Sequence, residues 1–316
     1  MSFRIKTRGR IGASLKRVAD QEIAAAVAEL QSMEAGSVSD AVHAARKHFK
    51  KLRALVQLLR EPLGAKVVKE EQAFYRDTGR EFQRLRDAYA QAATLRGLVD
   101  RFFDTRRPPI VQAAGRVLAA EETSARRKMA RNAVGPAVLA GLNNARLRVA
   151  EWELDDFRWK DLRAALRRSY RRARDAWGHA SAEPRPRALH DWRRRTKDLL
   201  YHILLCHSIA PDFMEELAGE LEVIGEFLGD DHDIVVLREL LERHPRHIPP
   251  GQARDSFFEM FSLRREELLD AAFDLAGRTF AESPDGFIEA LERRRDDHRQ
   301  RRKKARRIAE QLASHS

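Results

Sequence analysis

The chain has 316 residues, room for two domains or one large duplicated one, and its only cysteine, Cys206, excludes an intramolecular disulfide and a multi-cysteine zinc site. Apolar residues reach 43%, enough for a core, while charged residues at 34% point to long helices with solvated faces. Sixty Lys and Arg against 48 Asp and Glu leave a net charge of +12, which suits a polyanionic partner (nucleic acid, an anionic membrane surface or a phosphate polymer) or a generically basic protein. The basic start, MSFRIKTRGRIG, is followed by no apolar stretch of signal-peptide length, and no run of 18 apolar residues occurs. No membrane partner is expected, and a soluble cytoplasmic protein is the default.

Strand signals are nearly absent, and residues at helical spacing fill the chain between prolines and glycines. A first helix is expected over residues 13–33, ending at Gly36 and Ser37. Ser39 or Asp40 can cap a second, which Pro62 and Gly64 end. A long stretch over 65–103 follows, and Pro108-Pro109 starts a helix reaching about residue 132. Gly135-Pro136 is the expected boundary between halves, giving units of 1–134 and 135–316. In the second half one long helix, kinked near Gly141, is expected to end around Trp177. Pro184 to Pro186 make a turn into a helix running to about Ile209. Pro211 starts the next, Pro249-Pro250-Gly251 and Ser283-Pro284 introduce two more. About four helices per half with short connections favour antiparallel neighbours packed as one unit.

One helix occurs twice. VHAARKHFKKLRALVQLL at 42–59 returns as LHDWRRRTKDLLYHILL at 189–205, with His43 on His190, Arg46 on Arg193, Lys47 on Arg194 and Lys50 on Lys197. LRDAYA at 85–90 and DDHDIVVL at 230–237 repeat at nearly the same spacing, Asp87 on Asp233. With His43 at zero, helix geometry puts Lys50 at about −20°, Lys47 at about +40°, Arg46 at about −60° and Arg53 at about −80°. Phe49, Leu52, Leu55, Val56 and Leu59 fall opposite, so the helix has a basic stripe and a core stripe. His190, Arg193, Arg194 and Lys197 take the same angles in the second copy, and Tyr201 joins them. Leu200, Leu204 and Leu205 flank that stripe where a surface helix would carry polar residues, so it faces a partly enclosed groove. Clustered cations there lose hydration and repel one another, and something negative must compensate. Two sources are open: carboxylates such as Asp87, Asp231 and Asp233 from facing helices, or a bound polyanion. The stripe carries no interleaved acid before Asp198, whereas a pairing stripe alternates signs. The two histidines are either polar residues at helix starts or part of the site.

H-x-x-R-K-x-x-K-K-L-R at 43–53, H-x-x-R-R-x-x-K-x-x-x-Y at 190–201, the two Asp segments and YRRAR at 170–174 together resemble the CHAD domain, the conserved histidine α-helical domain. The resemblance spans roughly residues 10–312. It implies an all-α fold of two four-helix bundles related by pseudo-twofold symmetry, packed as one unit around a basic groove or channel. It implies binding of inorganic polyphosphate and association with polyphosphate granules. By position, the implied ligand contacts are His43, Arg46, Lys47, Lys50, Lys51 and Arg53 in the first half. In the second half they are Arg171, Arg172, His190, Arg193, Arg194, Lys197 and Tyr201. Lys50 and Lys51 stand where the family often has arginine, and Leu200 stands opposite Arg53. Nothing reads as the triphosphate-hydrolase-type β-barrel that some relatives carry.

The expectation is therefore a non-catalytic polyphosphate-binding module with no cofactor and no metal. A nucleic-acid-binding protein is the alternative that charge permits, but aromatics are only 7% and do not interleave with the stripes. A metal-dependent phosphohydrolase is suggested by His190-Asp191 and the DDHD run. Consecutive helical residues diverge by about 100°, so DDHD cannot all face one ion. The basic run at 293–307 reads equally as a solvated helix or a polyanion surface.

Overall fold

The computed structural model describes residues 3–6, 9–32, 38–103, 107–131 and 134–313. The expected break at Gly36 and Ser37 lies outside them. The described residues are all-α, with no strand. Helix α1 spans Ile11–Gln31, α2 Val38–Leu58, α3 Arg60–Glu81, α4 Gln83–Phe102, α5 Pro109–Arg131 and α6 Val134–Ala150. Then α7 spans Trp159–Ala182, α8 Pro186–Cys206, α9 Pro211–Glu242, α10 Gln252–Thr279 and α11 Pro284–Ala313. No helix among the described residues is long and apolar enough to cross a membrane.

Prolines start four helices as expected: α5 at Pro109, α8 at Pro186, α9 at Pro211 and α11 at Pro284. The first turn needs no amide donor, so proline costs nothing there. Pro62 likewise sits in the first turn of α3, and the expected stop becomes a break at Gly64, whose φ of 75° only glycine adopts readily. Two breaks carry no proline, which is why they were not expected. The 65–103 stretch divides at buried Phe82. The long helix expected to end at Trp177 is instead α6 and α7, separated by residues 151–158. In that segment Trp152, Leu154 and Phe157 turn inward, anchoring the chain in the core rather than continuing a helix. The amide of Arg158 donates to Asp161 at 2.9 Å, which caps α7. Gly12 of α1 crosses directly over this segment: a methyl there would fall 1.9 Å from the Leu154 oxygen.

The motif helices bury the stripes the periodicity indicates. Val42, Ala45, Phe49, Leu52 and Val56 are buried on α2, and Leu189, Trp192, Thr196, Leu199 and Ile203 on α8. Both belong to the main core. Packing partners recur along the chain: α1 lies on α2 and α6, and α7 lies on α8 and α11. Likewise α4 packs on α5, and α9 on α10. Across the molecule α2 packs on α8, and α4 on α9. A second core, including Leu98, Val117, Leu237 and Phe261, joins α4, α5, α9 and α10.

Candidate functional site

Because α2 packs on α8, the two basic stripes meet. Lys50 is the meeting point. Burial first, then the charges of Arg193, Arg86, Arg46 and Lys197, push its ammonium down to about 8. Those cations come from α2, α4 and α8. Lys50 is nonetheless exposed to water, so the crowding comes from protein and like charge around its length and not from enclosure.

The neighbouring cations are under the same pressure. Burial is the largest cause holding Arg46, Arg193 and Lys197 below their ordinary values. Acids oppose it without cancelling it: Asp87 at Arg46, Asp233 and Asp230 at Arg193, Glu222 and Glu226 at Lys197. His43 and His190 are exposed, yet burial, then Lys50, Arg86 and Lys47 for His43, and Arg193 and Arg194 for His190, lower both. Burial is the largest cause at each of these groups, and neighbouring cations add to it.

Glycines of adjacent helices make room for the cationic stems. Arg46 donates to the Gly79 carbonyl of α3, and the guanidinium lies 3.9 Å from where a Gly79 methyl would be. Arg193 lies 3.5 Å from the corresponding point on Gly229 of α9. Lys197 rests on Gly225, where a methyl would come within 2.7 Å of Cε and 2.8 Å of Nζ. Motif cations of both copies thus lie flat against helix backbone, and in a sequence these glycines read only as helix weakeners.

The two copies of the Asp motif meet through a residue that the repeat did not single out. Arg86 of α4 contacts Asp87 at 3.3 Å and Asp233 of α9 at 3.6 Å. Its charge also depresses His43, Arg46, Lys50, Arg193 and His232. Its counterpart in the second copy is His232, whose ring centroid lies 5.5 Å from that of His190. The DDHD run diverges as helical geometry requires. Asp231 is buried and accepts from Arg265 of α10 at 2.7 Å, His232 turns to His190, and Asp233 to Arg86. Among the described residues no group of three or more His, Cys, Asp and Glu could hold a metal ion.

Other expected contacts stand elsewhere. Lys51 turns away from the stripe to α1, where it pairs with buried Glu22 at 3.1 Å and lies over the Phe3 ring. His48 shares Glu22 at 2.5 Å. Lys51 is thus engaged in an ion pair with α1. Arg171 is exposed on α7 and its charge acts on Asp285 of α11, away from Lys50. Arg194 pairs with Asp191. Lys47 is exposed, its charge acting on His43 and Lys197. Tyr201 is buried, edge-on to Phe3, and burial with Glu222 pushes its hydroxyl up to about 12, so it can donate but not ionise near neutrality.

Arg53 and Arg172 form a second cluster where α2, α7 and α8 meet. Arg53 Nε donates to Gln72 Oε1 at 3.1 Å. Arg172 is held down by burial and by Arg195, Arg60 and Arg194, with Asp198 opposing. Burial raises Asp198 even though Arg195, Arg53, Arg172 and Arg194 surround it. Beneath lies His202, fully buried, its Nε2–H donating to the Ala54 carbonyl at 2.7 Å and Nδ1 accepting from Ser169 Oγ at 2.6 Å. A carbonyl can only accept, which places a proton on Nε2, and burial disfavours the second proton that would charge the ring.

Compared with known proteins, residues 18–242 match the model of a family described as CHAD domain. No curated protein matches the chain.

Proposed function

The chain belongs to the CHAD domain family, and we propose that it binds inorganic polyphosphate in a basic groove between two pseudo-twofold-related helical repeats. The observation that carries this reading is Lys50, pressed by Arg46 of its own helix and by Arg86, Arg193 and Lys197 of two others. A partly desolvated set of cations drawn from three helices is costly when empty and favourable when an anion threads it. Arginine forks can grip phosphate oxygens in pairs, and lysine serves as a point charge. Polyphosphate presents repeated charge with no bases, so it needs no aromatic platform.

The recurring packing supports the symmetric reading. The contacts of α1 with α2 and α6 match those of α7 with α8 and α11, and the cross-contacts pair α2 with α8 and α4 with α9. That pattern favours grouping α6 with the first repeat. On this view the protein is non-catalytic, acts in the cytoplasm and associates with polyphosphate granules. A nucleic-acid ligand is the second reading, favoured only by the net charge. Retention on immobilised polyphosphate tests the proposal. Wild type is retained, and Arg193→Glu/Lys197→Glu, if its helical circular dichroism is unchanged, is not. Retention of that folded variant at wild-type strength would remove the assigned site.

A further inference from the structure

Away from the motif helices, α11 walls a second recess. Its floor is apolar: Ile5 and Ile11 from the start of the chain, Trp159 at the head of α7 and Ile209 beyond α8. Its rim is cationic, with Arg295, Arg299, Arg302 and Arg306 contributed by α11. Spacings of four, three and four residues stack these arginines on one helix face. Arg295 is fixed over the Trp159 ring, its guanidinium 4.0 Å from the centroid. The indole nitrogen of Trp159 is buried without a hydrogen-bond partner. Acids nearby are partly engaged elsewhere: Glu292 accepts from Arg163 of α7 at 2.9 Å. Arg306 also reaches Glu310 at 2.6 Å.

A cationic rim over an apolar floor differs in kind from the Lys50 cluster. A bare inorganic polyanion would leave the floor wet, and an uncharged apolar molecule would draw nothing from the charge of the rim. We propose that this recess binds an organic phosphate, its phosphate among the α11 arginines and its apolar or aromatic body over Trp159 and the isoleucines. This assignment does not rest on the polyphosphate reading, since α11 lies beyond the residues matched to the family.

Decyl phosphate below its micellar concentration, inorganic phosphate and decanol are titrated calorimetrically into the full chain. Decyl phosphate is expected to bind one site at least tenfold more tightly than either control. Arg299→Glu/Arg302→Glu, two exposed positions, should weaken it at least tenfold, and Arg193→Glu/Lys197→Glu should leave it unchanged. Phosphatidylglycerol vesicles separate the sources. Flotation with vesicles that the α11 variant loses assigns a lipid headgroup, and its absence assigns a soluble organic phosphate. Equal binding of inorganic phosphate, indifference to the α11 variant, or no binding of decyl phosphate overturns the proposal.

Discussion

Lys50 gives the site a measurable proton signature. Free, its ammonium titrates at about 8 because burial and four neighbouring cations oppose its charge. A bound polyphosphate strand would add negative charge beside it and return it to the ordinary lysine value or above. At pH 9 the free side chain is then about one-tenth protonated and the bound one nearly fully, an uptake of about 0.9 proton per binding event. At pH 8 the uptake is about 0.5, and at pH 7 about 0.1. Calorimetric titration in buffers of different ionisation enthalpy reads this number directly. Lys50→Arg keeps the charge and abolishes the uptake above pH 7, and Lys50→Met abolishes it with weaker binding. Below pH 7 the depressed histidines His43, His190 and His232 add uptake of their own, so affinity strengthens as pH falls through their range. Uptake that is flat from pH 7 to 9, or unchanged in Lys50→Arg, would refute the convergence of the two helices' cations on Lys50.

His202 should make the fold acid-sensitive. Burial lowers its folded value to about 4 from 6.5, so its contribution is complete above 6.5 and is lost as pH falls toward 4. That is about 3 kcal/mol, and urea unfolding at pH 7 and pH 4.5 should show a smaller pH effect in His202→Gln than in wild type. Gly225→Ala should displace the flexible end of Lys197 and weaken polyphosphate binding several-fold. The alanine gains about 1 kcal/mol of helix propensity, so the melting temperature should hold. Lys51→Ala should leave polyphosphate retention intact and cost on the order of 1 kcal/mol by removing a partner of Glu22, measured by denaturant unfolding.

The repeat made the two motif helices legible, because a duplicated basic stripe survives in sequence whatever surrounds it. Their register with the core was equally legible: Phe49 and Leu52 on α2 are buried where the period puts them. What the sequence hid depends on neighbours. Lys51 sits about 80° around the helix from His43, and only the position of Glu22 on α1 decides that it turns away. Arg86 was hidden because the repeat replaces it with His232, so comparing the copies gave no matching residue. Gly79, Gly225 and Gly229 read as helix weakeners until the cations lying against them were located. The breaks at Phe82 and at 151–158 were hidden because buried aromatics, not proline or glycine, mark them.

A polyphosphate site set by converging cations has a characteristic dependence on salt. The most direct measurement is the dissociation constant for polyphosphate at several salt concentrations, with DNA as competitor at equal phosphate concentration. Affinity should fall steeply and linearly in log salt, by the counterion-release logic that governs polyanion binding, and DNA should not displace the polyphosphate. Displacement by DNA at equal phosphate, or affinity indifferent to salt, would rule out such a site.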